Sequence, residues 1–321
     1  MRIPLLLALL VSGHTLHADS AAAAAEARRF RLSHERVIVE EYTKLLAVPN
    51  VARNVTDMRR NAELIRAMFE QRGVRTQLWE VDGAPPVIFG EGLQPGAKRT
   101  IVFYAHYDGQ PVDASQWFHR APFQPVLLGG RLEEGAQPVT MPSSGPLNPE
   151  WRLYARSASD DKAPLIALLT ALDAMDAAGL APGSNLKFFL DGEEEAGSPH
   201  MALFLAKYKQ LLASDVWIFC DGPVHQSRRQ QIVFGARGST SLEVTIYGAQ
   251  GELHSGHYGN WAPNPAMQLA RLLATMRDDD GKVLIKDFYA DTEPLSAAEK
   301  ADSGGARHGW GDSQTILVGA E

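Results

Sequence analysis

Acidic side chains and one histidine stand directly after three short apolar runs of the sequence. The runs are TIVFYA, LKFFL and VWIFC, and the residues that follow them are His106, Asp108, Asp191, Glu193, Glu194, Glu195 and Asp221. A further acidic pair, Asp160 and Asp161, precedes a helical pattern. Crowded carboxylates raise one another's pKa unless a cation compensates their charge. Imidazole and carboxylates without a thiolate cluster suit zinc, manganese or cobalt in a hydrolytic site.

The number of acids suggests two metal ions. Such a pair, ~3.5 to 4 Å apart, activates a water for attack, and one glutamate must stay off the metals to take the proton. Each residue also has an ordinary structural interpretation. His106 could be a hydrogen-bonded core histidine, residues 193–195 a solvated acidic face, the 160–161 pair a helix cap and Asp221 part of an Asp-Gly-Pro turn. Their shared position after buried strands favours the metal site.

Periodic patterns alternate between helix and strand, which predicts an α/β fold with a mostly parallel sheet flanked by helices. Helices are predicted over 33–46, 57–72, 162–178 and around 201–212, and strands over 75–81, 87–89, 100–105, 186–190 and 216–220. In open α/β sheets, ligands bind outside the carboxyl ends of the strands. Three strands therefore deliver an imidazole and several carboxylates to the same edge.

The pattern changes from about residue 234. An alternating stretch at 242–247 predicts a strand, and 265–276 predicts a helix. We therefore place a domain boundary near 234; the family resemblance described below implies a catalytic domain over 30–233 and the beginning of an α+β lid domain over 234–321.

Composition limits the possible partners. With 31 basic and 38 acidic residues, the formal net charge of -7 argues against nucleic-acid binding, and no run reaches the ~18 to 20 apolar residues of a membrane span. Residues 1–18 combine Arg2, an apolar block and small residues, which is typical of a secretory signal peptide, although a buried N-terminal helix is the alternative. We expect a secreted or periplasmic protein. Cys220 is the only cysteine, so no disulfide forms within the chain.

Five ordered segments carry a resemblance to a known family. They are AHYDGQPV (105–112), LYARSASDDKAP (153–164), LDGEEEAGS (190–198), CDGP (220–223) and ELHSGHYGN (252–260). Together they resemble the dinuclear zinc peptidase family of carnosinases, glutamate carboxypeptidase and aminoacylase, and within it the dipeptidase branch. Ala155, Ser157 and Ala163 replace glycines of the family pattern, and the loop 133–150 looks inserted.

The resemblance implies a role for each matching residue. The implied metal ligands are His106, Asp160 as the bridge between both ions, Glu195 and Asp221. Glu194 is implied as the general base, and Asp108 as the residue that orients the His106 ring. Glu193 falls on a variable position, and the bond between Asp160 and Asp161 is expected to be cis.

The second domain resembles the beginning of the family's inserted lid, through which its members often dimerise. His254, in the H-S-G motif, is implied to reach a substrate carbonyl and stabilise oxyanion charge. The family's last metal histidine and its substrate-carboxylate contacts have no match before Glu321. His308 has neither the context nor the position of that ligand, which predicts a C-terminally incomplete sequence.

The resemblance implies metal-dependent hydrolysis of the amide bond of dipeptides or short peptides, with two divalent ions, zinc first and Mn2+ or Co2+ as alternatives. An N-acyl amino acid deacylase is the alternative enzyme. A non-catalytic, dimerising homologue is the alternative from another class.

Overall fold

The computed structural model describes residues 20–117, 119–222, 224, 225, 227, 228, 230–233, 238, 239, 241–294 and 315–318. The chain divides into two compact units, one ending at Gly222 and one comprising the residues after it, and each unit is described by itself. The predicted signal peptide (1–18) and His308 lie outside the described residues. Within the described part, no helix is both long and apolar enough to cross a membrane.

Among its described residues, the first unit contains four α-helices and seven strands. The helices are α1 (Ser20–Leu46), α2 (Val55–Glu70), α3 (Lys162–Ala177) and α4 (Met201–Tyr208). The strands are β1 (Arg75–Trp79), β2 (Val87–Gly92), β3 (Thr100–His106), β4 (Val126–Leu128), β5 (Arg152–Tyr154), β6 (Asn185–Asp191) and β7 (Val216–Phe219). Strands β4 and β5 form a separate antiparallel pair.

A five-stranded sheet in the order β1-β2-β6-β3-β7 forms the centre of this unit. Strand β3 runs parallel to both of its neighbours, β6 and β7, whereas β2 is antiparallel to β1 and to β6. The predicted α/β architecture, a sheet flanked by helices, is confirmed. The sheet is mixed instead of mostly parallel, because β2 pairs antiparallel with both of its neighbours. Its parallel part, β6-β3-β7, contains the three apolar runs that precede the chemically reactive residues.

Side chains alternate between the two faces of the sheet along each strand. Both faces carry apolar side chains, and helices cover both of them. On one face, Ile88 and Phe188 pack against buried residues of α1, α2 and α3, among them Leu45, Ile65 and Leu165. On the other face, Phe204 of α4 packs with buried aromatic residues of the sheet, which are Trp79, Phe89, Tyr104 and Phe189.

Local sequence explains the two helices that matter most for the site. Asn54 caps α2 by accepting a hydrogen bond from the Asp57 N–H. In α3, Pro164 occupies the first turn, where a missing N–H costs nothing, and Leu165 and Leu169 point into the core. As a result, α3 begins directly after Asp160 and Asp161.

Two regions differ most from the sequence prediction. Helix α1 begins at Ser20 instead of residue 33, because the alanine-rich stretch before Phe30 favours helix without an apolar stripe. The predicted strand at 242–247 was wrong: these residues pair with no described strand, and Leu242 and Tyr247 are exposed. Alternation alone does not make a strand where no partner covers the apolar face.

The second unit has little regular structure among its described residues. It contains the antiparallel pair β8 (Gln230–Val233) and β9 (Thr315–Val318), the short helix α5 (Ser255–Tyr258) and helix α6 (Pro265–Ala274). Helix α6 matches the helix predicted at 265–276. Its cap is Asn264, whose side chain accepts from two backbone N–H groups.

Candidate metal centre

The carboxyl ends of β3 and β6 bring the first reactive residues together. His106 is the last residue of β3 and lies beside Asp191, the last residue of β6, in the parallel register. The pairing extends one residue beyond β3, because the Tyr107 N–H donates to the Asp191 carbonyl at 2.9 Å. The edge predicted from the sequence is therefore a real feature of the sheet.

Carboxylates from three other segments surround the His106 ring, which is fully buried. Its Nε2 lies 2.8 Å from Oδ1 of Asp160, 3.8 Å from Oδ2 of Asp221 and 3.9 Å from Oε2 of Glu194. His106 and these three acids are separated from one another by 27 to 115 positions in the sequence, and the fold brings them together. One ring nitrogen thus faces three acids.

Asp108 binds the other side of the ring. Its Oδ1 lies 3.2 Å from His106 Nδ1, and both side chains have no exposed surface. The same carboxylate accepts the backbone N–H of Glu194 at 3.1 Å and that of Glu195 at 3.0 Å. Asp108 therefore orients the imidazole and the turn that carries both glutamates.

Asp161 is closer to the centre than the sequence analysis anticipated. The Asp160–Asp161 peptide is cis, as the resemblance implied. Asp161 is buried, its Oδ2 accepts the His106 backbone N–H at 3.0 Å, and His106, Asp161 and Asp221 offer ligand atoms within 4.8 Å of one another. The only sequence signal for this residue was the Asp-Asp pair itself.

Glu195 and Glu193 have different environments. An oxygen of Glu195 accepts a hydrogen bond from Gln110 Nε2 at 2.6 Å, so this carboxylate is held beside the loop that follows Asp108. Glu193 is buried, and its carboxylate accepts from both the backbone N–H and, at 2.9 Å, the ring of His200. Glu193 consequently fixes the loop between β6 and α4.

The electrostatics of the cluster call for a cation. Burial lowers the pKa of His106, but its hydrogen bond to Asp108 and the nearby carboxylates outweigh burial and raise this pKa to about 10. Burial, together with the charges of Asp221 and Asp160, raises the pKa of Asp161 to about 7. Burial first, and then neighbouring acids, also raise the pKa values of Glu194 and Asp221. The raised pKa values of the three acids thus reflect burial first and the neighbouring negative charges second, and a bound cation would offset both.

The donor set fits a divalent metal. It combines one imidazole with carboxylate oxygens, which are ligands of zinc, manganese and cobalt. The Nδ1 of His106 is already bound by Asp108, so Nε2 is the free ligand atom and faces the acids. A carboxylate on the other ring nitrogen is a common support of metal-binding histidines.

Lys162 holds the beginning of α3 in place beside this centre, a role that the sequence did not predict. Its side chain is fully buried, and its Nζ donates to the carbonyls of Leu45 and Val48 and, at 2.7 Å, to Oδ1 of Asn61. Burial lowers the pKa of this amine to about 7. The bonds tie the beginning of α3, directly after the acidic pair, to the end of α1 and to α2.

His254 lies in the second unit. It precedes α5, and its Nδ1 accepts the Gly256 N–H at 3.1 Å and lies 3.3 Å from Nδ1 of His257. Its role at a substrate carbonyl stays a prediction.

Known proteins share the segments that carry this centre. A model of the Peptidase family M20/M25/M40 matches residues 102–257. The human Beta-Ala-His dipeptidase is 29% identical over 217 residues, 67% of this chain and 39% of the relative. The Cys-Gly metallodipeptidase of Schizosaccharomyces pombe is 24% identical over 275 residues, 81% of this chain and 54% of the relative. The chain thus spans about half the length of the curated relatives it matches.

Solved structures share the fold. The metallo-carboxypeptidase Sso-CP2 of Sulfolobus solfataricus superposes with a TM-score of 0.58 and 27% identity over 82% of this chain and 55% of that chain. The dipeptidase Dug1p of Saccharomyces cerevisiae superposes with a TM-score of 0.58 and 21% identity over 90% of this chain and 60% of that chain. The second likeness is evidence for the fold alone.

Proposed function

Because residues 102–257 match a model of the Peptidase family M20/M25/M40, we propose that the whole protein is a metal-dependent hydrolase of the amide bond in dipeptides or other short peptides. The names of the curated relatives, Beta-Ala-His dipeptidase and Cys-Gly metallodipeptidase, support this substrate class. The chain covers about half of their lengths, so the proposal concerns the whole protein.

One observation carries the proposal. Oxygens of Asp160, Glu194 and Asp221 lie within 3.9 Å of a single nitrogen of His106, at the sheet edge where ligands of α/β proteins bind. A structural ion pair needs one acid for one histidine, whereas this arrangement supplies several. The excess of acids over cations is the arrangement a metal-dependent hydrolase requires.

We propose two divalent ions, zinc in the first place, held by His106, Asp160, Glu195 and Asp221. When bound, such ions polarise the scissile carbonyl and make a water acidic enough to lose its proton near neutral pH. Asp160 is the proposed bridge, since its side chain is exposed and its Oδ1 faces His106 Nε2. Asp161, whose carboxylate is buried against the His106 N–H, holds the strand end in place.

Glu194 is the proposed proton carrier. It takes the proton of the attacking water and later gives it to the leaving amine. Its carboxylate is partly exposed and lies 3.9 Å from His106 Nε2, which leaves it within reach of the centre without a short contact to the ring. Burial raises its pKa, which makes the carboxylate a stronger base than an ordinary glutamate.

His254 is the proposed donor to the oxyanion of the tetrahedral intermediate. This role rests on its motif, E-L-H-S-G, in the segment matched by the family model. A lid domain that contributes a residue to the site also motivates a homodimer as the proposed assembly. The signal-like residues 1–18 support the proposal of a secreted or periplasmic protein, and N-terminal sequencing of the mature protein tests it.

The test of the function uses the whole protein loaded with zinc. A panel of unblocked dipeptides is compared with a panel of N-acetyl amino acids, and products are separated by chromatography. Cleavage of the dipeptides supports the proposal, whereas exclusive cleavage of the N-acetyl compounds favours a deacylase. A protein that binds two zinc ions and cleaves neither panel would be a non-catalytic homologue, and the proposal would be rejected.

A further inference from the structure

Asn50 lies under the metal centre, in the segment between α1 and α2 that none of the sequence motifs includes. The residue is fully buried. Both hydrogens of its side-chain amide are used: Nδ2 donates to the Tyr107 carbonyl at 2.8 Å and to Ser157 Oγ at 2.9 Å. The backbone carbonyl of Asn50 accepts the Gly109 N–H at 2.9 Å.

These contacts join two segments that are far apart in sequence. Tyr107 stands between His106 and Asp108, and Ser157 stands three residues before Asp160. The side chain of Asn50 thus bridges the segment with the metal-binding histidine to the segment with the acidic pair. Both hydrogen bonds have ordinary lengths, and both are buried. Losing a buried hydrogen bond is costly, because water does not replace the missing partner.

The two segments also approach each other closely at this point. A Cβ added to Gly109 would collide with Ser157 Oγ, so only glycine leaves room for the contact. Ser157 itself has a φ of 61°, in the left-handed region. The position of Ser157 Oγ, the acceptor of the Asn50 bond, is therefore set by the packing.

The chemistry of the asparagine side chain suits this place in a specific way. The bridge needs two donors on one atom, which a carboxamide supplies and an aspartate, leucine or serine does not. The Oδ1 of Asn50 is buried and has no hydrogen-bond partner among the described residues. An unpaired buried oxygen costs stability. Asn50 therefore lowers stability through its unpaired oxygen, whereas its two N–H groups hold the Tyr107 and Ser157 segments together.

Hydrogen bonds from α2 and α3 also fix Val48 and Pro49, the two residues before Asn50. Asn61 Nδ2 donates to the Pro49 carbonyl at 2.6 Å, and the buried Lys162 binds the carbonyl of Val48 at 3.1 Å. The Lys162 N–H also donates to the Ser157 carbonyl at 3.2 Å. Movement of Asn50 relative to α2 and α3 would break these bonds as well.

We propose that Asn50 is a positioning residue of the metal centre, whose amide holds the 106–109 and 157–161 segments at the separation that lets His106 and Asp160 bind one metal ion. This inference rests on the proposed function, because it assigns a supporting residue to the same site. Asn50 contacts neither metal nor substrate and acts through the Tyr107 and Ser157 contacts.

The test compares zinc affinity of the full chain and its Asn50→Ala variant by titration with the metal alone. We expect affinity to fall about 10-fold or more, as for other residues that orient metal ligands. Cobalt-substituted protein gives a second readout, because the visible spectrum of Co2+ follows ligand geometry. We expect Asn50→Ala to change the positions or intensities of its bands.

Two further variants separate positioning from general loss of stability. Arg72→Ala breaks an ion-pair cluster of α1 and α3 that does not contact the metal centre, so it should lower stability and leave zinc affinity and the cobalt spectrum unchanged. Ser157→Ala removes the acceptor of one Asn50 bond and a long hydrogen bond of 3.4 Å from the Ser157 hydroxyl to the Asp108 carbonyl, while the bond from Asn50 to Tyr107 remains. It should shift both readouts in the same direction as Asn50→Ala, and it provides the test if Asn50→Ala fails to fold.

The outcomes are distinct. Unchanged zinc affinity and an unchanged cobalt spectrum in Asn50→Ala or Ser157→Ala, with tight binding in the wild type, overturn the positioning role and leave the proposed function intact. Equal losses in Arg72→Ala also overturn it, since stability alone would then explain the effect. A wild-type chain that binds no zinc overturns the metal centre and, with it, the proposed function.

Discussion

Asp108 Oδ1 lies 3.2 Å from His106 Nδ1, with both side chains entirely buried. This contact sets which ring nitrogen faces the acids, because it leaves Nε2 directed at Asp160. The same carboxylate receives the N–H groups of Glu194 and Glu195. One buried acid therefore couples the histidine to the two glutamates from another strand end.

Replacing Asp108 by asparagine should disturb all three contacts. Asparagine keeps the size of the side chain, but its amide has one acceptor oxygen where the site presents three N–H donors. We expect zinc affinity to fall about 10- to 100-fold, as is typical for partners of metal-binding histidines. Zinc titration measures the change, and Asp113→Asn, in an exposed loop, is the matched control. Equal affinity in Asp108→Asn would contradict the orienting role.

Glu194→Gln should separate chemistry from metal binding. The amide cannot take a proton from water, so we expect kcat of the whole protein to fall about 10² to 10⁴-fold while metal content stays unchanged. Steady-state kinetics and elemental analysis of the same sample measure both quantities. The control is Glu133→Gln, whose side chain is largely exposed. Turnover close to that of the wild type would eliminate Glu194 as the proton carrier.

Asp160→Ala should lower the metal content. If Asp160 bridges two ions, its removal takes a ligand from both, and we expect bound zinc to drop from two equivalents to one or fewer. Elemental analysis after dialysis gives the stoichiometry. Asp176→Ala, which changes an exposed acid near the end of α3, is the control. Two equivalents in Asp160→Ala would argue against bridging.

Arg72→Ala should destabilise the first unit without touching the site. The Arg72 guanidinium binds Asp173 with two bonds of 2.8 Å and Glu41 at 2.9 Å, and only 12% of its side chain is exposed. Its loss leaves two acids of α1 and α3 unpaired. We expect about 2 kcal/mol of lost stability, below the ~3 to 5 kcal/mol of fully buried pairs.

Urea unfolding measures this change. The control is Arg59→Ala, because Arg59 lies on α2 and forms exposed ion pairs with Glu63 and Glu80, which contribute less than about 1 kcal/mol. Similar losses in the two variants would show that burial of the Arg72 cluster has no special weight.

Elements with strong local signals could be predicted from the sequence. Strands β3, β6 and β7 and helix α3 begin and end within about one residue of the predicted bounds, because apolar runs, a proline in the first helical turn and glycine stops act over a few neighbouring residues. The same local order placed His106, Glu194 and Asp221 after strands, which is why they were found. Where the apolar pattern needed a distant partner, as at 242–247, the prediction was wrong.

By itself, the sequence determined which segments carry the reactive side chains and which chemistry their types allow. Tertiary structure decided how they meet: the contact of His106 with Asp161, the bonds of Lys162 and the bridge made by Asn50. The two bonds of Asn50 span 57 and 107 positions. Contacts of this range follow from packing of helices on the sheet, and they produce no periodicity or motif at the residues that make them.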